Sequence, residues 1–186
     1  MANGQNQDYR IAEAIIFASE KAISIKDIKK KLPHVRDLKK ILLDLQKQYE
    51  KKGINLKVSD NCWYFETASD ISDYLKEYKL VKKKLSKAAM ETLSIIAYFQ
   101  PVTKPEIEEI RGVSTHSGIF EILINNDWIS SKGRKEVPGK PLLWVTTTEF
   151  LIYFNLSSIK DLPSKKELIE SGLLTKGDDL NLKISK

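Results

Sequence analysis

The sequence predicts a mainly α-helical chain with small β-wings, an α+β fold of two winged helix-turn-helix domains in tandem. Three observations predict it. The 186 residues suit two domains of about 80 residues as well as one larger domain. Each half shows the same order of elements: helix, helix, turn, helix, two-stranded hairpin, helix, which is the order of a winged helix. Between the halves runs Leu80-Val81-Lys82-Lys83-Lys84, a charged break with the composition of a solvated linker. The expected boundaries are a disordered N-terminus at 1–7, a first domain at 8–79, a linker at 80–85, a second domain at 86–156 and a polar tail at 157–186.

In the first half, Asp8 to Ser19 reads as a helix. Its apolar residues Ile11, Ala12, Ala14, Ile15, Ile16, Phe17 and Ala18 cover more than the single stripe a surface helix needs. The excess points to a second covered face, by self-association or by a partner. Ser24-Ile25-Lys26-Asp27 is a capping box opening a short helix to about Lys31, and Pro33 punctuates it. A third helix runs from Arg36 to Lys52, with Leu38, Ile41, Leu42, Leu45 and Tyr49 on one face and Gly53 after its end. Ile54–Val58 and Trp63–Thr67 read as two strands around Ser59-Asp60-Asn61. Ser69 then caps a helix to about Tyr78.

In the second half, Ser86 caps a helix to about Phe99, which Pro101 ends. Its expected core stripe is Ala89, Met90, Leu93, Ile96 and Ala97, while Ile95 and Tyr98 project from the other side. Those two are covered either within the chain or by a partner segment lying in a groove. Thr103-Lys104-Pro105-Glu106 is a second capping box, with proline tolerated in the first turn. Arg111-Gly112-Val113 makes the turn, and Ser114 or Thr115 caps a third helix to about Asn126. Trp128–Lys132 and Leu142–Thr146 are strands around a loop rich in turn formers. Thr148 starts a last helix to about Asn155. In the tail, Ser164-Lys165-Lys166-Glu167 opens one short helix ending at Gly172.

Chemistry is sparse. The chain has two histidines, His34 and His116, and one cysteine, Cys62. Their spacing resembles no zinc site, one cysteine forms no intrachain disulfide, and Cys62 reads as a buried thiol. His116, at the start of a helix, reads as a surface or capping residue. The loop Gly133–Lys140 has five residues between its glycines and Pro141 after Lys140, so it lacks the spacing and hydroxyl of a phosphate loop. Glu108 and Glu109 are adjacent and point to different helix faces. No cofactor is expected, nor an enzymatic activity. No stretch approaches the apolar length of a membrane helix; a cytoplasmic protein without a membrane partner is expected.

The net charge is +6, which permits nucleic-acid contact without requiring it. The positive charge is mostly lysine, with arginine only at positions 10, 36, 111 and 134, and arginine is the main reader of guanine. In the third helix of the second half, Ile119, Phe120, Ile122 and Leu123 take the expected buried arc. Ser117, Glu121 and Asn125 take the exposed one, with no lysine or arginine. A glutamate presented to phosphates is repelled. In the first half, Lys40, Lys47 and Lys51 with Asp44 read as a solvated face. The wing residues Lys132, Arg134, Lys135 and Lys140 are the candidates for phosphate contact, without sequence specificity.

Several stretches carry a family resemblance. From Leu85 the chain reads Leu-Ser-Lys-Ala-Ala-Met-Glu-Thr-Leu-Ser-Ile-Ile-Ala-Tyr, then Gln100-Pro101-Val102-Thr103-Lys104-Pro105-Glu106-Ile107-Glu108-Glu109-Ile110-Arg111-Gly112-Val113. Later come the wing, Gly133 to Pro141, then Thr147-Thr148-Glu149-Phe150 and Asp161-Leu162-Pro163. The first half contributes Glu13-Ala14-Ile15-Ile16-Phe17-Ala18 and Tyr49-Glu50-Lys51-Lys52-Gly53-Ile54. These resemble bacterial segregation and condensation protein B. Asp127 and Asn155 stand where that pattern commonly has glycine, and Trp144 where it has tyrosine.

The resemblance implies two winged-helix domains and a homodimer formed through the first, which places the expected dimer face at Ile15, Ile16 and Phe17. It implies binding to the kleisin subunit, segregation and condensation protein A, with the groove near Ile95 and Tyr98 as the expected contact. Through the kleisin the pair joins the structural-maintenance-of-chromosomes ATPase, associated with the nucleoid and touching DNA indirectly. The alternative is a winged-helix transcription regulator or nucleoid protein that binds DNA itself; an enzyme regulator is a third option.

Overall fold

The structure, a computed structural model, describes residues 2–78, 85–164 and 167. The chain divides into two compact units, Met1–Lys83 and Lys84–Lys186.

The first unit runs α1 (Ala2–Phe17), β1 (Ile23–Ser24), α2 (Ile25–Lys31), α3 (Leu38–Tyr49), β2 (Ile54–Ser59), β3 (Cys62–Thr67) and a 3-10 helix at Ser69–Tyr78. Ala12 and Ile16 from α1, Ile28 from α2, Leu38, Ile41, Leu42 and Leu45 from α3, Leu56 and Trp63 make its core. α1 begins at Ala2 rather than Asp8, so residues 2–7, expected to be disordered, prolong the helix. Asn3, Gly4 and Asn6 are weak helix formers, so the extension rests on the helix already nucleated downstream. The Ser24 hydroxyl accepts the Asp27 amide and caps α2, and the Asp37 carboxylate does the same for α3. The sheet is antiparallel in the order β1-β3-β2. Its hairpin turns through Asp60 and Asn61, both at positive φ, as a two-residue primed turn requires. β1 went unforeseen because two residues carry no periodicity. Cys62, expected to be buried, is half-buried.

The second unit repeats the order: α4 (Lys87–Phe99), β4 (Val102–Thr103), α5 (Lys104–Arg111), α6 (Ser117–Asn125), β5 (Ile129–Arg134), β6 (Leu142–Thr146), α7 (Thr148–Tyr153) and a 3-10 turn at Ile159–Asp161. Its sheet is ordered β4-β6-β5, again antiparallel. α4 packs against α5, α6 and β6, so it is enclosed on most sides. Ile95 therefore joins Leu93, Ile96 and Ala97 in the core, while Met90, expected in the core stripe, is exposed.

Three local features refine the sequence expectations. The α6 cap is His116, whose Nδ1 accepts the Gly118 amide at 3.1 Å, rather than Ser114 or Thr115. α6 buries only Phe120 and Leu123, so Ile122, expected inside, is exposed together with Ile124. Asp127 and Asn155 adopt left-handed backbone at φ 56° and 55°, the conformation glycine takes most easily. The tail helix expected at 164–172 falls mostly outside the described residues. Its capping exchange is present: the Ser164 amide donates to Glu167 Oε2 at 2.6 Å, and the Glu167 amide donates to Ser164 Oγ at 3.3 Å.

Candidate partner-binding surfaces

In the first unit, two tyrosine-to-carboxylate hydrogen bonds set α1 against α3. Tyr9 donates to Asp44 at 2.6 Å, and Tyr49 donates to Glu13. Each phenol is held above its ordinary pKa, first by the carboxylate it donates to and then by burial. Asp44 thus faces α1 and is not one of the solvated charges near Lys40, Lys47 and Lys51. Beside α1 lies an open groove of about 1100 Å³, lined by Ile11, Ala14, Ile15, Phe17, Ile54 and Phe65, with Arg10, Glu13 and Lys31 also on its wall.

Of the three residues expected at a self-association face, the structure brings two to this groove. Phe17 is 74% exposed and meets Phe65 edge-on at 6.4 Å, and Phe65 in turn packs edge-on to Tyr49 at 4.8 Å. Ile15 is half-buried on the groove wall. Ile16 is 3% exposed and belongs to the core, because it follows Ala12 by one helical turn on the inward stripe. It offers no surface to a second chain. Ile54 and Phe65 were missed in the sequence. Ile54 is two residues from Leu56 and therefore on the same sheet face, but it lies past the buried part of that face.

In the second unit, the two residues expected to line a groove part company. Ile95 is 8% exposed, and Tyr98, one turn further along α4, is 42% exposed. The Tyr98 hydroxyl donates to the Pro163 carbonyl at 2.9 Å. Leu156, Ile159 and Leu162, just after α7, pack against the core. Burial, and then the negative charge of Glu167, raise the Tyr98 pKa.

The corner between α5 and α6 is fixed by Arg111, whose side chain is almost wholly buried. Its guanidinium donates to Thr115 Oγ1 at 2.9 Å and to Glu91 Oε2 at 3.3 Å, while its Nε has no partner among the described residues. The Thr115 amide donates to Glu108 at 2.7 Å. Gly112 closes α5 at φ 69°, where a side chain is strained. The Glu-Ile-Arg-Gly-Val stretch is thus a turn-setting device. Beyond this corner, α6 presents Glu121, Ile122, Ile124 and Asn125 to solvent.

The four wing cations are all exposed, yet not equally available. Lys135 pairs with Glu106 at 2.5 Å and Lys140 with Glu136 at 3.8 Å. The Arg134 guanidinium donates to the Lys140 carbonyl at 2.9 Å. Glu106 also accepts the Thr103 amide at 2.8 Å and the Thr103 hydroxyl at 2.7 Å. Burial pushes its carboxyl pKa up, but the Lys135 ammonium and the Thr103 donors outweigh this and hold it below the ordinary value. Among the described residues, no group of histidine, cysteine and acidic side chains could hold a metal ion, and no helix is long and apolar enough to cross a membrane.

Comparison with known proteins covers both units. The family model for the segregation and condensation complex subunit ScpB matches residues 10–165. Segregation and condensation protein B of Clostridium tetani is 39% identical over 167 residues, which span 87% of this chain and 88% of that protein. A segregation and condensation protein B homolog from Coxiella burnetii is 34% identical over 168 residues, 86% of this chain and 79% of that protein. The crystal structure of ScpB from Mycobacterium tuberculosis aligns with 81% of this chain and 96% of its own at 23% identity and a TM-score of 0.39. The matched family is one of segregation subunits and indicates no enzymatic class. The chain belongs to the family of the segregation and condensation complex subunit ScpB.

Proposed function

We propose that the chain is a non-catalytic subunit of the bacterial condensin-like complex, serving chromosome condensation and segregation in the cytoplasm at the nucleoid. In this reading residues 8–79 and 86–156 are winged-helix domains joined by a linker at 80–85. The first makes a homodimer through the groove beside α1, around Ile15 and Phe17. The second binds the kleisin, segregation and condensation protein A, with the Tyr98 ring as an anchor. The kleisin in turn carries the pair to the structural-maintenance-of-chromosomes ATPase, so DNA contact is indirect.

One observation carries the choice of a protein partner over DNA. The helix a DNA reader would lay in the major groove exposes Ile122, Ile124 and Glu121 without a lysine or arginine. Such a face repels phosphate and suits an apolar partner surface. A winged-helix regulator that binds DNA directly is favoured by the exposed wing cations Lys132 and Arg134.

Two measurements separate the readings. Pull-down with the kleisin should succeed with the parent chain and weaken at least tenfold for Tyr98→Ala, the usual scale of an aromatic anchor. Unchanged capture refutes Tyr98 as a contact. A gel shift over a salt series should show weak duplex binding by the chain alone. Tight binding with a steep salt slope, lost on replacing Lys132 and Arg134 with Gln, would establish the DNA reading instead.

A further inference from the structure

The stretch after α7 is not a loose tail. Leu156, Ile159 and Leu162 pack against the second unit's core. They recur every third residue, with Ile159 opening the 3-10 turn at Ile159–Asp161 and Leu162 capping its end. The segment is closed locally. The Leu156 amide donates to the Leu151 carbonyl at 2.8 Å, and Asp161 accepts the Ser157 and Ser158 amides at 2.8 and 2.9 Å. A long-range link joins the segment to α4: the Tyr98 hydroxyl donates to the Pro163 carbonyl. It is an exposed neutral bond, so water competes for both groups. Ile95, on the same helix face as Tyr98, is buried among the core residues.

We propose that residues 156–163 are a displaceable strap, an intramolecular ligand seated beside α4. It gives way to a partner segment carrying apolar side chains at i, i+3 and i+6, the pattern the strap itself uses. Resting on the reading of Tyr98 as a kleisin contact, this assigns two opposed roles to one side chain. The Tyr98 hydroxyl latches the strap, and the Tyr98 ring anchors the incoming segment. A face occupied by its own chain binds a partner more weakly, in proportion to the fraction of time it is closed. The strap therefore sets the threshold for partner engagement.

The test uses the full chain and a labelled synthetic peptide with this chain's own sequence from residues 155–164, followed by fluorescence anisotropy. Tyr98→Phe keeps the ring and removes the latch. The peptide loses the same hydrogen bond as the strap, so its affinity should stay within about twofold, while strap amide exchange quickens about two- to tenfold, the worth of one net hydrogen bond. Ile159→Ser loosens a partly buried anchor and should raise peptide affinity about tenfold or more. Amide exchange at Leu156 and Leu162 should quicken in both variants, while Leu93 and Ile96 inside α4 stay protected; that protection also certifies that the variants are folded. Unchanged peptide affinity in Ile159→Ser, or unchanged strap exchange in both variants, overturns the proposal, whatever the kleisin does. A gain in peptide affinity without any gain for a kleisin fragment leaves the strap standing and removes the kleisin from this face. A gain for both, set against the loss expected for Tyr98→Ala, establishes strap and kleisin site together.

Discussion

The groove beside α1 lends itself to a quantitative test through Phe17. Fully burying a phenylalanine is worth about 1.5–3 kcal/mol. Phe17 keeps 74% of its surface in the single chain, so about 1–2 kcal/mol remains to be gained when a second copy covers it. A two-fold interface uses the same patch on both chains, which doubles the term. Phe17→Ala should therefore weaken dimerisation by about 2–4 kcal/mol, or about 30- to 1000-fold in Kd. The folded single chain loses little, since the ring is already mostly exposed. Ile16→Ala is the contrasting control. Its side chain is 3% exposed, so its loss should cost about 2–5 kcal/mol of folding stability. Sedimentation velocity over a wide concentration series measures the first quantity, and denaturant unfolding measures the second. A parent chain that is monomeric throughout, or a Phe17→Ala dimer as tight as the parent's, refutes the assignment of this groove.

Two further predictions concern the second unit. Glu106 has its carboxyl pKa lowered in the fold from an ordinary 4.5. As pH falls, the unfolded chain takes up that proton first, so the contribution is present above pH 4.5 and is lost as pH falls through the folded value. Glu106→Gln should flatten the acid limb of a melting-temperature profile and cost about 1 kcal/mol at neutral pH, allowing for solvent screening of a partly exposed pair. An unchanged acid limb refutes the pairing. Gly112→Ala places a side chain at φ 69° with nothing within 4 Å of it, so the loss is conformational, about 1–2 kcal/mol by denaturant titration. A smaller loss than that of an alanine substitution at exposed Asn125 would contradict the left-handed cap.

The elements were legible where a local rule fixes them. The capping boxes at Ser24 and Thr103, the turn at Asp60-Asn61 and the αL glycine after Arg111 each act over a few residues. The two-residue strands β1 and β4 were not legible, because their pairing is decided by β3 and β6, far away in sequence. Surfaces were harder than elements. A helix with many apolar residues announces a second covered face, but not which residues lie on it. Ile16 and Ile95 went inside because α1 and α4 each meet several neighbours, and only the packed unit reveals how much of a helix they enclose. Exposed Ile122 and Ile124 follow from the converse, since α6 has too few neighbours to cover them. The departures from glycine at Asp127 and Asn155 were visible in the sequence, and their left-handed backbone gives the reason glycine suits those positions.

Glu106 serves two masters, the first turn of α5 and Lys135 of the wing. A carboxylate shared in this way ties the base of the wing to the start of α5. A tug on the hairpin is borne by the start of α5, whose far end meets the corner that Arg111 braces. Wing, helix and corner are thus joined in sequence by Lys135, Glu106 and Arg111, a chain of polar contacts from the hairpin to the start of α6.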